Sequence, residues 1–173
     1  MKPHLQWSVR SDEANLHLDF SFENPEPFDV FVCLPEPPYV EITSDRRVRI
    51  WYGLYVLGEK DIVEAPVVPP VVLLKENDVL RRETVFALPL DESHPFPRYE
   101  HEEKTILESA ELTLEIGYFS YDEAHLPPAV GEQGQEVRLA PYDWAAQTIR
   151  YVRSDPSAVA VPINMPRKLL RGE

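Results

Sequence analysis

Leu16, Leu18, Phe20 and Phe22 alternate with His17, Asp19, Ser21 and Glu23. A period of two places every apolar side chain of an extended strand on one face and every polar one on the other. Asn24, Pro25, Glu26 and Pro27 follow as a turn, since each proline fixes its own φ and biases its predecessor away from the α region. The run from Phe28 to Leu34 is almost continuously apolar, the pattern of an inner strand covered on both faces. We expect the two to form a central hairpin. Such a unit cannot stand alone and requires a second sheet over its apolar face.

Similar signals recur along the chain. Leu5, Trp7 and Val9 alternate with polar residues up to Ser11, and Leu112, Leu114, Ile116 and Tyr118 do so later. Tyr39 to Ile42 reads as a short edge strand, Val48 to Leu57 as an aromatic one and Val79 to Leu90 as another. Pro66, Pro69 and Pro70 interrupt the apolar stretch from Ile62 to Leu74 and assign it to an edge or outside the sheet. Residues 121–140 lose all periodicity and are expected to be a long loop. From Pro141 to Arg153 two readings stand side by side. Trp144, Thr148, Ile149 and Val152 share a helical face, yet Thr148 to Val152 are strand formers, so a short helix or a strand fits.

About seven to nine short strands separated by turns is the pattern of an all-β, two-sheet antiparallel sandwich, with an immunoglobulin-like Greek key favoured. The expected organisation is one domain over residues 1–166 and a basic, fraying tail over 167–173. The N-terminal residues lack the apolar stretch of a signal peptide, and the single cysteine, Cys33, excludes an intrachain disulfide. A cytoplasmic setting is expected.

Seventeen basic against 30 acidic side chains give a net charge of −13, which repels phosphate backbones and anionic lipid surfaces. Neither nucleic acid nor membrane is an expected partner. There is no G-x-S-x-G elbow, Walker loop or dinucleotide fingerprint, and no cofactor is expected.

Three functional readings follow. The preferred one is a non-enzymatic protein–protein interaction or structural module within a larger assembly, or one that self-associates. Its candidate surface is the proline-broken valine run with Val67, Val68, Val71 and Val72, which could offer a strand edge to a partner. Tyr118, Phe119 and Tyr121, leading into the 121–140 loop, are the second part of it. The first alternative is a metal-dependent or general acid–base enzyme using His94 and His101 with Asp91, Glu92, Glu100, Glu102 and Glu103, residue types able to ligate zinc or relay protons but without a diagnostic spacing. The second is a small-ligand carrier with an aromatic pocket from Trp51, Tyr52 and Tyr55.

Overall fold

The computed structural model describes residues 3–55, 69–95, 101–120, 128–130, 136–139 and 142–172. Within them the chain runs β1 (Leu5–Ser11), β2 (Asn15–Glu23), β3 (Val30–Cys33), β4 (Tyr39–Ile42), β5 (Arg47–Tyr52), β6 (Pro70–Leu74), β7 (Val79–Ala87), β8 (Lys104–Glu108), β9 (Glu111–Ser120), β10 (Pro128–Val130), β11 (Glu136–Leu139), α1 (Tyr142–Thr148), β12 (Arg150–Arg153), β13 (Pro162–Pro166) and α2 (Arg167–Leu170). The protein is mostly β with two short helices among the described residues, and none of the described helices is long and apolar enough to cross a membrane.

The strands form a three-stranded sheet β1-β2-β7, an eight-stranded sheet β10-β11-β6-β3-β9-β5-β4 with β12 added to β9, and a two-stranded sheet β13-β8. Among the described residues all strand pairs are antiparallel except β5–β9, which is parallel over Arg47–Tyr52. The expectation of purely antiparallel sheets fails at this pair. A parallel pair needs a long crossover, and the chain between Tyr52 and Glu111 provides it.

The alternation in β2 translates directly into burial. Leu16, Leu18, Phe20 and Phe22 are buried, and the residues between them are half-exposed. Their side chains meet the large sheet, with the Phe20 and Tyr52 rings 5.1 Å apart and those of Phe22 and Tyr118 6.0 Å apart. This shared core also takes in Ile50, Leu112, Leu114 and Ile116 from the large sheet and Ile163 and Met165 from β13. On the other face of the large sheet, Phe31, Cys33, Val71 and Phe119 form a second core with Ala145 of α1. Strand β3 is therefore buried on both faces, Val30 and Val32 in the first core and Phe31 and Cys33 in the second.

The expected hairpin does not form. β2 pairs with β1 and β7, whereas β3 lies between β6 and β9 in the large sheet. The turn after Glu23 carries the chain from one sheet to the other, and the buried Asn24 holds it there. Its amide nitrogen donates to the carbonyls of Phe28 at 2.8 Å, Lys75 at 3.1 Å and Leu74 at 3.2 Å, and its oxygen accepts the Glu26 N–H at 2.9 Å.

Four further expectations are revised or resolved. β6 is not an edge strand, because β3 and β11 pair on its two sides. Of residues 121–140, expected to be a loop, only 128–130 and 136–139 are described, and these pair antiparallel as β10 and β11; the rest lies outside the described residues. The ambiguous segment at 141–153 is both things in turn, helix α1 followed by strand β12. The basic tail is ordered as α2, with Arg167 on Glu103 at 2.7 Å and Lys168 on Glu102 at 2.9 Å.

Candidate functional site

The residues expected to form a binding surface divide into three groups. Val71, Tyr118 and Phe119 are buried, so the reading of them as a contact surface is corrected. Both apolar cores claim them, and their aromatic or branched side chains are what the two sheet faces need filled. Val72 is half-buried in the middle of the large sheet. Val67, Val68 and Tyr121 lie outside the described residues.

The histidine–carboxylate constellation is dispersed. His94 is almost wholly buried and its Nε2 lies 2.6 Å from Glu92 Oε1, while its ring stacks on Tyr55 with centroids 4.8 Å apart. Asp91 accepts a hydrogen bond from Asn164 and sits 3.6 Å from Lys104. Glu102 and Glu103 are turned to the basic residues of α2. His101 is exposed, and Glu100 lies outside the described residues. Among the described residues, no group of three or more His, Cys, Asp or Glu is placed to hold a metal ion. Of that charge run, Glu102 and Glu103 form ion pairs with the tail.

Trp51, Tyr52 and Tyr55 do not share a pocket. Successive residues of β5 point to opposite faces, which sends Tyr52 into the core beneath β2 and Trp51 to the other side against Tyr39, 5.2 Å between ring centroids. Tyr55 lines a cleft of about 420 Å³ with Glu92, His94, Glu41 and Thr43.

The site that sequence reasoning missed is the outer border of the three-stranded sheet. All nine residues of β7 pair with β2, and among the described residues no strand pairs with its other side. The pattern of the ladder can be read from its two ends, where Leu88 N–H donates to Ala14 at 2.9 Å and Asn24 N–H donates to Asp78 at 3.1 Å. In an antiparallel pair the bonded positions alternate. Leu80, Arg82, Thr84 and Phe86 are therefore bonded to β2, and Val79, Arg81, Glu83, Val85 and Ala87 turn their N–H and C=O groups outward. The side chains of those same five residues lie on the face away from the core and are all exposed. Val79 and Val85 are 39% and 51% exposed.

The inward-facing positions hold the strand in place. Thr84 Oγ1 lies 2.6 Å from the Tyr52 hydroxyl, and burial pushes that phenol above its ordinary pKa. The charged triplet Arg81-Arg82-Glu83 interrupting an otherwise apolar strand is the sequence signal of an edge. An open groove of about 530 Å³ runs beside it, lined among others by Trp7, Asp19, Ser21, Arg81 and Glu83.

Comparison with protein-family models, curated proteins and solved structures finds no match to the chain.

Proposed function

We propose that this chain is a non-enzymatic protein–protein interaction module that accepts a partner strand along β7. The observation that carries the reading is the row of five outward-turned peptide groups from Val79 to Ala87, on a strand whose other side is tied down over its whole length. Main-chain hydrogen bonds supply affinity in strand addition, and alternate side chains supply selectivity. We read the three-stranded sheet and the large sheet as the two layers of a β-sandwich. Their shared core supports that reading, while the parallel β5–β9 pair sets it apart from a fully antiparallel Greek key. A cytoplasmic setting suits Cys33, whose thiol is buried and pushed well above its ordinary pKa by burial.

Proline scanning of β7 tests the function. Glu83 turns its N–H outward, so Glu83→Pro removes a donor that the pairing with β2 does not use and that an added strand would. Arg82→Pro removes one that the fold uses. The expected result is a folded Glu83→Pro protein that loses its partner and an Arg82→Pro protein that is destabilised. A folded Glu83→Pro protein that retains every partner overturns the reading.

A second reading, small-ligand binding, rests on His94. It forms part of the wall of two clefts of about 420 and 440 Å³, one lined by Glu41, Tyr55 and Glu92 and the other by Tyr39 and several prolines. A thermal-shift screen against a small-molecule library, repeated with His94→Ala, tests it. Hits that disappear in the variant support it, and an absence of hits removes it.

A further inference from the structure

We infer that the strand received by β7 is β7 of a second copy, so that two chains join their three-stranded sheets into one continuous six-stranded sheet across a two-fold axis. The inference rests on the strand-addition reading and adds the identity of the occupant and the register.

A two-fold axis beside an edge strand makes the added strand antiparallel, and outward-turned residues must then face outward-turned residues. Any register that sets the alternate, outward-turned positions of the two strands opposite one another satisfies the backbone, so the outer-face side chains decide among them. With the axis at Arg82, Val79 faces Val85 of the second copy, Arg81 faces its Glu83, and by symmetry Glu83 faces its Arg81 and Val85 its Val79. Two apolar pairs flank two opposite-charge pairs on one face of the sheet. Such directly opposed pairs are what stabilise an antiparallel ladder, and like charges in the same places oppose it.

Neighbouring registers lose this match. Moving the axis to Glu83 places Glu83 against itself and Arg81 against Val85. Moving it to Arg81 places Arg81 against itself and Glu83 against Val79. The outer-face order Val79, Arg81, Glu83, Val85 is thus self-complementary about Arg82, which on the other face meets its own copy. Both exposed valines of the strand find an apolar partner in that register, and both outer-face charges find an opposite one. The regular nine-residue pairing of β7 with β2, free of bulges, gives the edge the continuity such a ladder requires.

Sedimentation equilibrium over a concentration series, on the full chain and on Arg81→Glu, Glu83→Arg, the Arg81→Glu/Glu83→Arg double variant and Glu83→Pro, tests the inference. The wild type should dimerise. Each single reversal makes both charge pairs repulsive and should weaken the dimer roughly tenfold or more, and the double variant, which restores opposite charges, should recover it. Glu83→Pro should be monomeric. A wild type that stays monomeric throughout overturns the inference. If it also binds another protein in a manner abolished by Glu83→Pro, strand addition stands and only the occupant is wrong. A dimer unaffected by the reversals and by proline overturns the inference, because the two copies then meet elsewhere.

Discussion

Arg153 reaches from the surface to Glu115, its Nη2 2.5 Å from a carboxylate oxygen, with the arginine side chain 72% exposed and the glutamate 2% exposed. Arg49 grips the other oxygen and lies over the Trp51 ring at 4.3 Å. Three strands, β5, β9 and β12, are thereby tied on the face of the large sheet away from the main core.

The two arginines are expected to contribute unequally. Removing one partner of a buried carboxylate leaves its charge poorly compensated, and Arg49 is the better shielded of the two. Arg49→Met should cost about 2 kcal/mol after allowance for its partial exposure. Arg153→Met should cost under about 1 kcal/mol. Urea unfolding of the two variants measures the difference, and equal costs would show that solvent, not burial, sets the strength of both pairs.

Close packing around Tyr151 gives a second prediction. Its ring fills the space where Gly53 and Gly117 lack side chains, and its hydroxyl accepts the Leu54 N–H at 3.1 Å. A Cβ on Gly117 would meet Ile149 Cδ1 at 2.8 Å and Tyr151 Cε1 at 2.9 Å. Gly117→Ala should therefore destabilise by about 1–3 kcal/mol. Tyr151→Leu in the same chain should relieve part of that cost, giving a non-additive double variant by denaturant unfolding.

Acid should weaken the β1–β2 connection through Asp12. The Ala14 N–H bond first, then His17 and the Asn15 N–H, hold its carboxyl below the ordinary value of 3.8. A group whose pKa is lower in the folded state stabilises fully above its unfolded pKa and loses that contribution as pH falls through the folded value. The stability difference between wild type and Asp12→Ala should be constant above about pH 5 and shrink at lower pH. Thermal unfolding across an acid series measures it, and a difference that grows on acidification would reverse the sign.

Arg82 distinguishes the proposed dimer register from its neighbours. It faces its own copy only when it lies on the axis, where two like charges oppose each other. Arg82→Thr should tighten the dimer in that register. With the axis at Arg81 or Glu83, Arg82 faces Leu80 or Thr84, and the substitution brings no relief of repulsion. Sedimentation of this variant beside the wild type reads the difference.

Much of the local structure was legible in the chain. The alternation from Leu16 to Phe22 gave the buried face of β2, and the expectation of a strand covered on both sides over Phe28 to Leu34 holds for Val30–Cys33, while Phe28 lies outside the strand and is exposed. The strand at β4 and the apolar row of β9 were visible for the same reason: side-chain periodicity is a local property. The candidate site was not. The valines around Pro69 and Pro70 drew attention as an edge because proline cannot donate, yet β6 tolerates Pro70 at its first position. Arg81, Arg82 and Glu83, by contrast, passed as ordinary residues of a returning strand.

What the sequence determined by itself, in the strands with clear alternation such as β2 and β9, was which residues extend and which face is apolar. Which strand pairs with which was decided by tertiary structure. Every strand offers the same N–H and C=O groups, so the ladder carries no label for its partner. Selection falls to side chains far apart in sequence: the Asn24 amide reaching Leu74 and Lys75 to send β3 into the other sheet, the Tyr52 hydroxyl meeting Thr84 to seat β7, and Glu115 gathering Arg49 and Arg153. Those choices leave β7 with no strand on its outer side among the described residues, an edge that the Arg81-Arg82-Glu83 triplet signals but that only the assembled sheets establish.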